Sequence, residues 1–488
     1  MPQALFPEIY LSLLAISLLL FGLYRKERSL VAVHWVAILG LAVAGLLMAD
    51  ISGVERAFNG MFIADSFTQG MKTLVIAGAT LVLLISLQPL SKVLDQRFEY
   101  ALVVIFAVLG MCGMISAGDM LSLYMGLELQ SLSLYVLAAF QRDDARSTEA
   151  GLKYFVLGAL ASGMMLFGIS LLYGFSGQTS FEGIASMLTA QEGPSRGALI
   201  GMVLVLVGLC FKVSAVPFHM WTPDVYQGAP TPVTAFFAIC PKIAALALFA
   251  RVLAGPFAGL LPQWQPIVIL IAALSMLLGG FAGLRQDNIK RLLAYSSIGH
   301  VGFVLMAMAA GTPTAASAIV LYLVIYMVMS VGVFGCIMLL ARAGHPVEKI
   351  ADFAGLSRNH PRIAFALAAL MFSMAGIPPL AGFFAKMAVF LAAIESGLIM
   401  LAIIGALASV VAAYYYLKIV KVMYFDPFEA YPAAIAEEVP FAARATVFVA
   451  VAAVLAFCFY PTPVINLSKQ VAASLHTPKP AVTAWLNP

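Results

Sequence analysis

The sequence predicts an all-α polytopic membrane protein with about fourteen transmembrane helices, two inverted five-helix repeats and two broken helices. Three observations lead there. Of the 488 residues, 62% are hydrophobic and 10% charged, and the mean hydropathy is +1.00; a soluble domain carries about 25% charge. The apolar residues fall in runs of about 20, the length of a helix that crosses a bilayer. Two of those runs are interrupted by proline in a similar way, at positions where the chain crosses in opposite directions.

The runs lie at roughly 6–23, 31–49, 70–90, 98–117, 119–140, 150–173, 198–222, 231–253, 264–283, 289–311, 314–341, 363–394, 397–423 and 443–462. Only Thr312-Pro313 separates the tenth from the eleventh. Stretches 50–69, 174–197, 342–362 and 424–442 read as longer polar connections. The segment after Tyr460, rich in proline and polar residues, is expected to lie extended along the surface. No stretch has the composition of a soluble domain. The first run contains Glu8 and lacks a basic n-region, which marks it as a retained span and not a cleaved signal.

Basic residues set the orientation. Connections after odd-numbered spans hold 17 lysines and arginines, from Arg25, Lys26, Arg28 and Lys92 to Lys421 and Arg444. The opposite side holds 5: Arg56, Arg196, Arg251, Lys469 and Lys479. The positive-inside rule then puts the odd connections in the cytoplasm and both termini outside.

Span seven reads FKVSAVPFHMWTPD, with Phe211 six residues before Pro217. Span twelve reads FSMAGIPPLAGFFAK, with Phe372 six residues before Pro378 and Pro379 next. Spans five apart run oppositely through a membrane, which is the mark of inverted repeats with discontinuous helices. The expected units are 1–97 (helices one to three), 98–253 (first repeat, helices four to eight), 264–423 (second repeat, helices nine to thirteen) and 424–488 (last helix and tail). Proline removes a backbone donor and frees a carbonyl one turn earlier. The half-helix ends carry partial charges that attract ions and buried polar groups.

Among the ionisable residues inside these spans, five stand out in otherwise apolar surroundings: Glu128, Lys153, Lys212, Lys242 and Lys386. A charge at the centre of a membrane helix costs roughly 2.5–3.5 kcal/mol on insertion scales, and such residues usually pair with one another or line a proton or ion path. Glu128, in LYMGLELQSLSLYVL, reads either as a functional carboxylate or as half of a structural ion pair. Lys212 precedes Pro217 by five residues, Lys242 lies one span later, and Lys386 follows the second break. Lys153 is nearer a span end, beside Arg146 and Glu149, where its ammonium can snorkel to the surface. His300 is a relay candidate because of its titration range, or a neutral packed histidine. His219 has the weaker case. Tyr295, Ser296 and Ser297 read as water-holding hydroxyls or caps on backbone carbonyls.

Other chemistries lack their residues. The five cysteines lie in apolar runs without CxxC spacing, so they read as small core side chains. No dinucleotide fingerprint or phosphate loop occurs, nor any histidine or cysteine cluster for haem, iron–sulfur or zinc. The basic residues are scattered through short loops, which gives no nucleic-acid surface.

Two long motifs, FKVSAVPFHMWTPDVYQGAPTPVTAFFAICPK and QDNIKRLLAYSSIGHVGF, resemble the antiporter-like membrane subunits of respiratory complex I. The run WTPDVYQGAPTPVTAFF is particularly similar to the branch called subunit N. The resemblance extends from about 100 to 425, and more distant relatives are the large subunits of multi-subunit cation/proton antiporters. It implies a proton-translocating subunit of an NADH:quinone oxidoreductase in a bacterial inner membrane, with both termini periplasmic. The family's helix-five glutamate matches Glu128, and its helix-seven, helix-eight and helix-twelve lysines match Lys212, Lys242 and Lys386. The helix-six lysine matches Lys153, and His300 stands where relatives keep a titratable residue. A sister branch carries glutamate on helix twelve and another adds a long C-terminal lateral helix; Lys386 and the short tail argue for subunit N. The resemblance also implies that this chain holds no cofactor and no metal. FMN, iron–sulfur clusters and quinone are expected in partner subunits, and the partners are the other membrane subunits, the lipid bilayer and, indirectly, the peripheral redox arm. The competing readings are a subunit of a multi-subunit Na+/H+ antiporter and a non-pumping scaffold.

The orientation is testable with reporters fused after Pro488. Alkaline phosphatase, active only outside the cytoplasm, is expected to be active there, and a fluorescent protein that matures only in the cytoplasm is expected to stay dark.

Overall fold

In the computed structural model, residues 5–25, 30–49, 53–87, 97–190, 194–342, 345–427, 434–435 and 439–475 are described. Lys26, Arg28, Lys92 and Lys479, used above for orientation, lie outside them. The chain is a helix bundle. Its first part comprises α1 (Phe6–Arg25), α2 (Leu30–Ala49), α3 (Ser66–Ile85), α4 (Glu99–Ile115), α5 (Met120–Ala138) and α6 (Ala145–Ser176). Then come α7 (Phe181–Ala190), α8 (Arg196–Val213), α9 (Trp221–Gly228), α10 (Thr231–Ala254), α11 (Leu261–Gly283), α12 (Ile289–Ala310) and α13 (Pro313–Met338). The remainder is α14 (Leu356–Asn359), α15 (Pro361–Ala375), α16 (Ala381–Glu395), α17 (Ile399–Phe425), α18 (Phe441–Phe459) and α19 (Thr462–Ala472). Among the described residues, twelve helices are long and apolar enough to cross a membrane. The shorter α4 and the broken pair α15/α16 complete the fourteen crossings expected from the sequence.

Several boundaries move for local reasons. The third span starts at Ser66, four residues early, because Asp65 caps it: its side chain accepts from the Thr68 N–H while the Thr68 hydroxyl accepts from the Asp65 N–H. Arg251 of α10 closes on the same carboxylate at 2.7 Å. Burial pushes the Asp65 carboxyl up, but Arg251 and the Thr68 bonds outweigh this and hold it below the usual carboxylate range. The connection 174–197 contains α7, which buries Phe181, Ile184 and Leu188 on one face. The described part of the segment after Tyr460, which reaches Leu475, is helical and not extended: Pro463 falls in the first turn of α19, where its missing N–H costs nothing. The α19 region docks on α3 through Phe67 N–H to Ser474 Oγ (2.9 Å).

Strands are confined to connections among the described residues. β1 (Glu55–Ala57) pairs antiparallel with β2 (Phe62–Ala64), Glu55 opposite Ala64. β3 (Leu340–Arg342) lies between β4 (His345–Pro346) and β5 (Ala434–Ile435).

The centre of the bundle is α10, α12 and α13, whose apolar windows are 100%, 94% and 89% buried, against 28% for α1. Their exposed-face requirement is gone, so any charge they carry is a charge in the interior. Glycines set the close crossings. A Cβ on Gly110 of α4 would lie 2.4 Å from Gln130 N and 2.8 Å from Gly126 O of α5. A Cβ on Gly279 of α11 would lie 2.6 Å from Gly299 N of α12. Close small-residue contacts thus occur both between the fourth and fifth crossings and between the ninth and tenth.

Gly110→Val is expected to destabilise the bundle by about 1–3 kcal/mol, the cost of overpacking, seen as a lower melting temperature of the purified complex. Gly163→Ala, which meets nothing within 4 Å, is expected to leave it unchanged.

Candidate functional site

Both helix breaks have one construction. In the first, α8 ends at Val213, Ser214 turns left-handed (φ 62°), and its N–H returns to the Cys210 and Phe211 carbonyls. In the second, α15 ends at Ala375, Gly376 turns left-handed (φ 86°), and its N–H returns to Phe372 and Ser373. A cis X–Pro bond begins two residues later in each, Val216–Pro217 and Pro378–Pro379. The backbone therefore matches Pro217 with Pro379, one residue beyond the Pro378 that spacing from phenylalanine picked out. Phe372 stands three residues before the end of its half-helix and Phe211 two, so phenylalanine is not the shared landmark. The left-handed residue is.

Glycine is the ordinary choice for that conformation. Ser214 takes it with its side chain engaged: Ser214 Oγ accepts from the Thr222 hydroxyl at 2.6 Å. Trp221 Nε1 also reaches back to the Phe211 carbonyl at 3.1 Å. Two side chains of α9 thus tie the half-helices across the break.

Each break turns a helix-end carbonyl inward, and each carbonyl meets a buried lysine. Lys242 of α10 donates to the Val213 carbonyl at 3.1 Å. Lys386 of α16 donates to the Ala375 carbonyl at 2.7 Å and to Ser409 Oγ at 2.6 Å. Val213 and Ala375 are equivalent positions, the last helical residue before the left-handed turn. The negative end of a helix dipole adds to the attraction. Lys242 and Lys386 come from different helices relative to their breaks, so two solutions serve one acceptor.

Lys212, in the last turn of α8, points the other way. Its Nζ donates to Ser131 Oγ of α5 at 2.6 Å and lies 5.8 Å from the Tyr135 ring centre. Glu128 is one helical turn before Ser131, on the same face, and interacts electrostatically with Lys212. It is half-buried, its Oε1 has no hydrogen-bond partner, and Lys212 itself bonds to the Ser131 hydroxyl.

Between Lys242 and Lys386 the interior is bridged by hydroxyls. Tyr326 Oη donates to the Ala238 carbonyl (3.0 Å), one turn before Lys242, and stands 3.2 Å from Ser297 Oγ. The Tyr326 ring packs 5.2 Å from His300. His300 Nδ1 meets Tyr322 Oη at 2.7 Å and Nε2 meets Tyr416 Oη at 3.2 Å, a pairing that suits one donor and one acceptor nitrogen of a neutral ring. Tyr416 Oη also bonds Ser296 Oγ. Ser296, His300, Tyr416 and Lys386 line one small cavity. Glu128, Lys212, Lys242, His300 and Lys386 thus stand along one polar row.

Lys153 is outside it. Its side chain is 41% exposed and pairs with Glu149 (2.7 Å) and Asp224 (2.9 Å). His219 is half-buried at the first break with Nδ1 unpartnered. Sequence reasoning missed Ser131, Tyr322, Tyr326, Ser409, Tyr416 and Asp224. The hydroxyls are visible as polar letters in apolar runs, but nothing in the letters tells which face they occupy.

Residues 117–412 match the family described as NADH:quinone oxidoreductase/Mrp antiporter, TM. NADH-quinone oxidoreductase subunit N of Rhodospirillum rubrum is 58% identical over 424 residues, covering 86% of this chain and 87% of that protein. Subunit N of Paramagnetospirillum magneticum is 54% identical over 96% of this chain and 97% of its own length. A chain of respiratory complex I from Thermus thermophilus superposes with a TM-score of 0.80 at 33% identity, over 95% of this chain and 100% of that one. A chain of the Mrp complex from a Dietzia species superposes at 0.85 over 98% of each chain but is 20% identical, a likeness of fold alone. The chain belongs to the subunit N family of NADH-quinone oxidoreductase, the antiporter-like membrane subunits of complex I.

Proposed function

We propose that this subunit moves protons from the cytoplasm to the outside along the polar row, driven by quinone reduction in other subunits. Protons enter near Lys212 and Lys242, pass the hydroxyl–histidine bridge and leave near Lys386. The two five-helix units, 98–253 and 264–423, then act as an uptake half and a release half, with both termini on the periplasmic side. FMN, iron–sulfur clusters and the quinone site belong to the partner subunits.

The observation that carries this reading is the pair of equivalent break carbonyls, each engaged by a lysine that lies in the interior, with His300 and its tyrosines between. Desolvation penalises a charged group and a nearby opposite charge favours it. Lys212 therefore answers to its distance from Glu128: as the carboxylate approaches, the ammonium form is held; as it withdraws, a proton is released to the row. The two groups titrate as a coupled pair. Lys212 sits beside Val213, whose carbonyl holds Lys242, so a change at Glu128 reaches the row through two adjacent residues.

A scaffold has no use for this arrangement, since apolar side chains of similar volume fill such sites at equal or lower cost. A sodium/proton exchanger of the same fold would transport without NADH oxidation, whereas this subunit is expected to need it.

In the assembled complex reconstituted in liposomes, Lys212→Met is expected to slow proton pumping, by up to about 100-fold where this transfer limits the rate, the scale of losing a proton-transfer group, and Glu128→Ala to slow it partially. Wild-type pumping in both variants would show that the row does not carry protons.

A further inference from the structure

Asp224 lies on α9, the half-helix that follows the first break, and it is bracketed by two cations. Its Oδ2 is 2.9 Å from Lys153 of α6 and its Oδ1 is 2.6 Å from Arg291 of α12. Arg291 also reaches Gln227 at 3.2 Å, and Lys290 donates to the Ala229 carbonyl at 3.0 Å, just past the end of α9. Two points of this half-helix, Asp224 and Gln227, and the residue just past its end are therefore held from outside it, by charge-assisted bonds that are about twice as strong as neutral ones. A carboxylate between two cations keeps its charge and does not hand protons on. It is an anchor.

What the anchor holds is the far wall of the break. Trp221 and Thr222, in the turn before Asp224, make the bonds to the Phe211 carbonyl and Ser214 Oγ that close the left-handed turn. That turn aims the Val213 carbonyl at Lys242. The short α9 has only 8 residues, too few to hold its own place by helix propensity. Its position is set by α6 on one side and α12 on the other, which belong to the two different repeat units.

We propose that Asp224 is a positioning residue for proton transfer at the first break: by pinning α9 between Lys153 and Arg291 it keeps the Val213 carbonyl in register with Lys242. Lys153 is then a counter-ion of this clamp and not a carrier in the row. The proposal rests on the proton-transfer reading given above.

The test compares Asp224→Asn, Asp224→Glu, Arg291→Gln and Lys242→Met in the assembled complex in liposomes, reading protons moved per NADH oxidised, a ratio that the amount of complex does not alter. Asp224→Asn is expected to lower the ratio by roughly two-fold to thirty-fold, the range reached by mutations within a coupling network, with most of the loss restored in Asp224→Glu. A wild-type ratio in Asp224→Asn beside a lowered one in Lys242→Met would overturn the clamp alone; a wild-type ratio in Lys242→Met would overturn the proton-transfer reading beneath it. If Asp224→Asn does not assemble, Arg291→Gln decides on the same ratio, lowered for the clamp and unchanged against it. Failure of both to assemble would overturn the proposal by showing that the cluster only holds the fold.

Discussion

The bond between a buried lysine and a helix-end carbonyl is the interaction on which the interior depends. A bilayer offers no water to either partner, so each is costly alone. A lysine at the centre of a span costs roughly 2.5–3.5 kcal/mol, while a hydrogen bond to a charged group contributes about 1.5–3 kcal/mol and a helix terminus about 0.3–1 kcal/mol more. The terms nearly cancel. The break makes the lysine tolerable and the lysine makes the break tolerable, at Val213 with Lys242 and at Ala375 with Lys386.

That near-balance is what proton movement asks for. A group held by several strong partners would be fixed in one protonation state, as Asp224 is between Lys153 and Arg291. A group with one carbonyl or one hydroxyl can be tipped by a small change nearby. Lys212 bonds to a single neutral hydroxyl, Ser131 Oγ, and Glu128 stands one turn away with an unfilled acceptor. The tyrosines around His300 continue the pattern, since each phenol can give and accept a proton without gaining a full charge. Asp224 is fixed by paired charges, whereas Lys212, Lys242 and Lys386 bond only to neutral hydroxyl and carbonyl acceptors.

Much of this was legible in the chain. Charges inside apolar runs stand out by their cost, which is why Glu128, Lys212, Lys242 and Lys386 were found before any geometry. The two breaks were found from proline, yet their alignment slipped by one residue. The true landmark is the left-handed residue, and Ser214 carries no letter that signals positive φ, unlike Gly376. The partners of the lysines were hidden for a different reason: the Val213 and Ala375 carbonyls are backbone, common to every residue. Lys153 stands apart already in the sequence, near a span end beside Arg146 and Glu149, but nothing there shows Asp224, 71 positions away, folding back beside it. The α19 helix was misread because proline at a helix start and proline in an extended tail look alike until the next turn is seen.

The central claim is that the lysines at the break carbonyls carry protons and do not merely fill the interior. Lys386 is the cleanest probe, since its acceptors, the Ala375 carbonyl and Ser409 Oγ, remain when methionine of similar length replaces it. Protons moved per NADH oxidised, measured for Lys386→Met in the fully assembled complex in liposomes, is the deciding quantity. The predicted result is a ratio well below wild type with assembly intact; an unchanged ratio would contradict the claim.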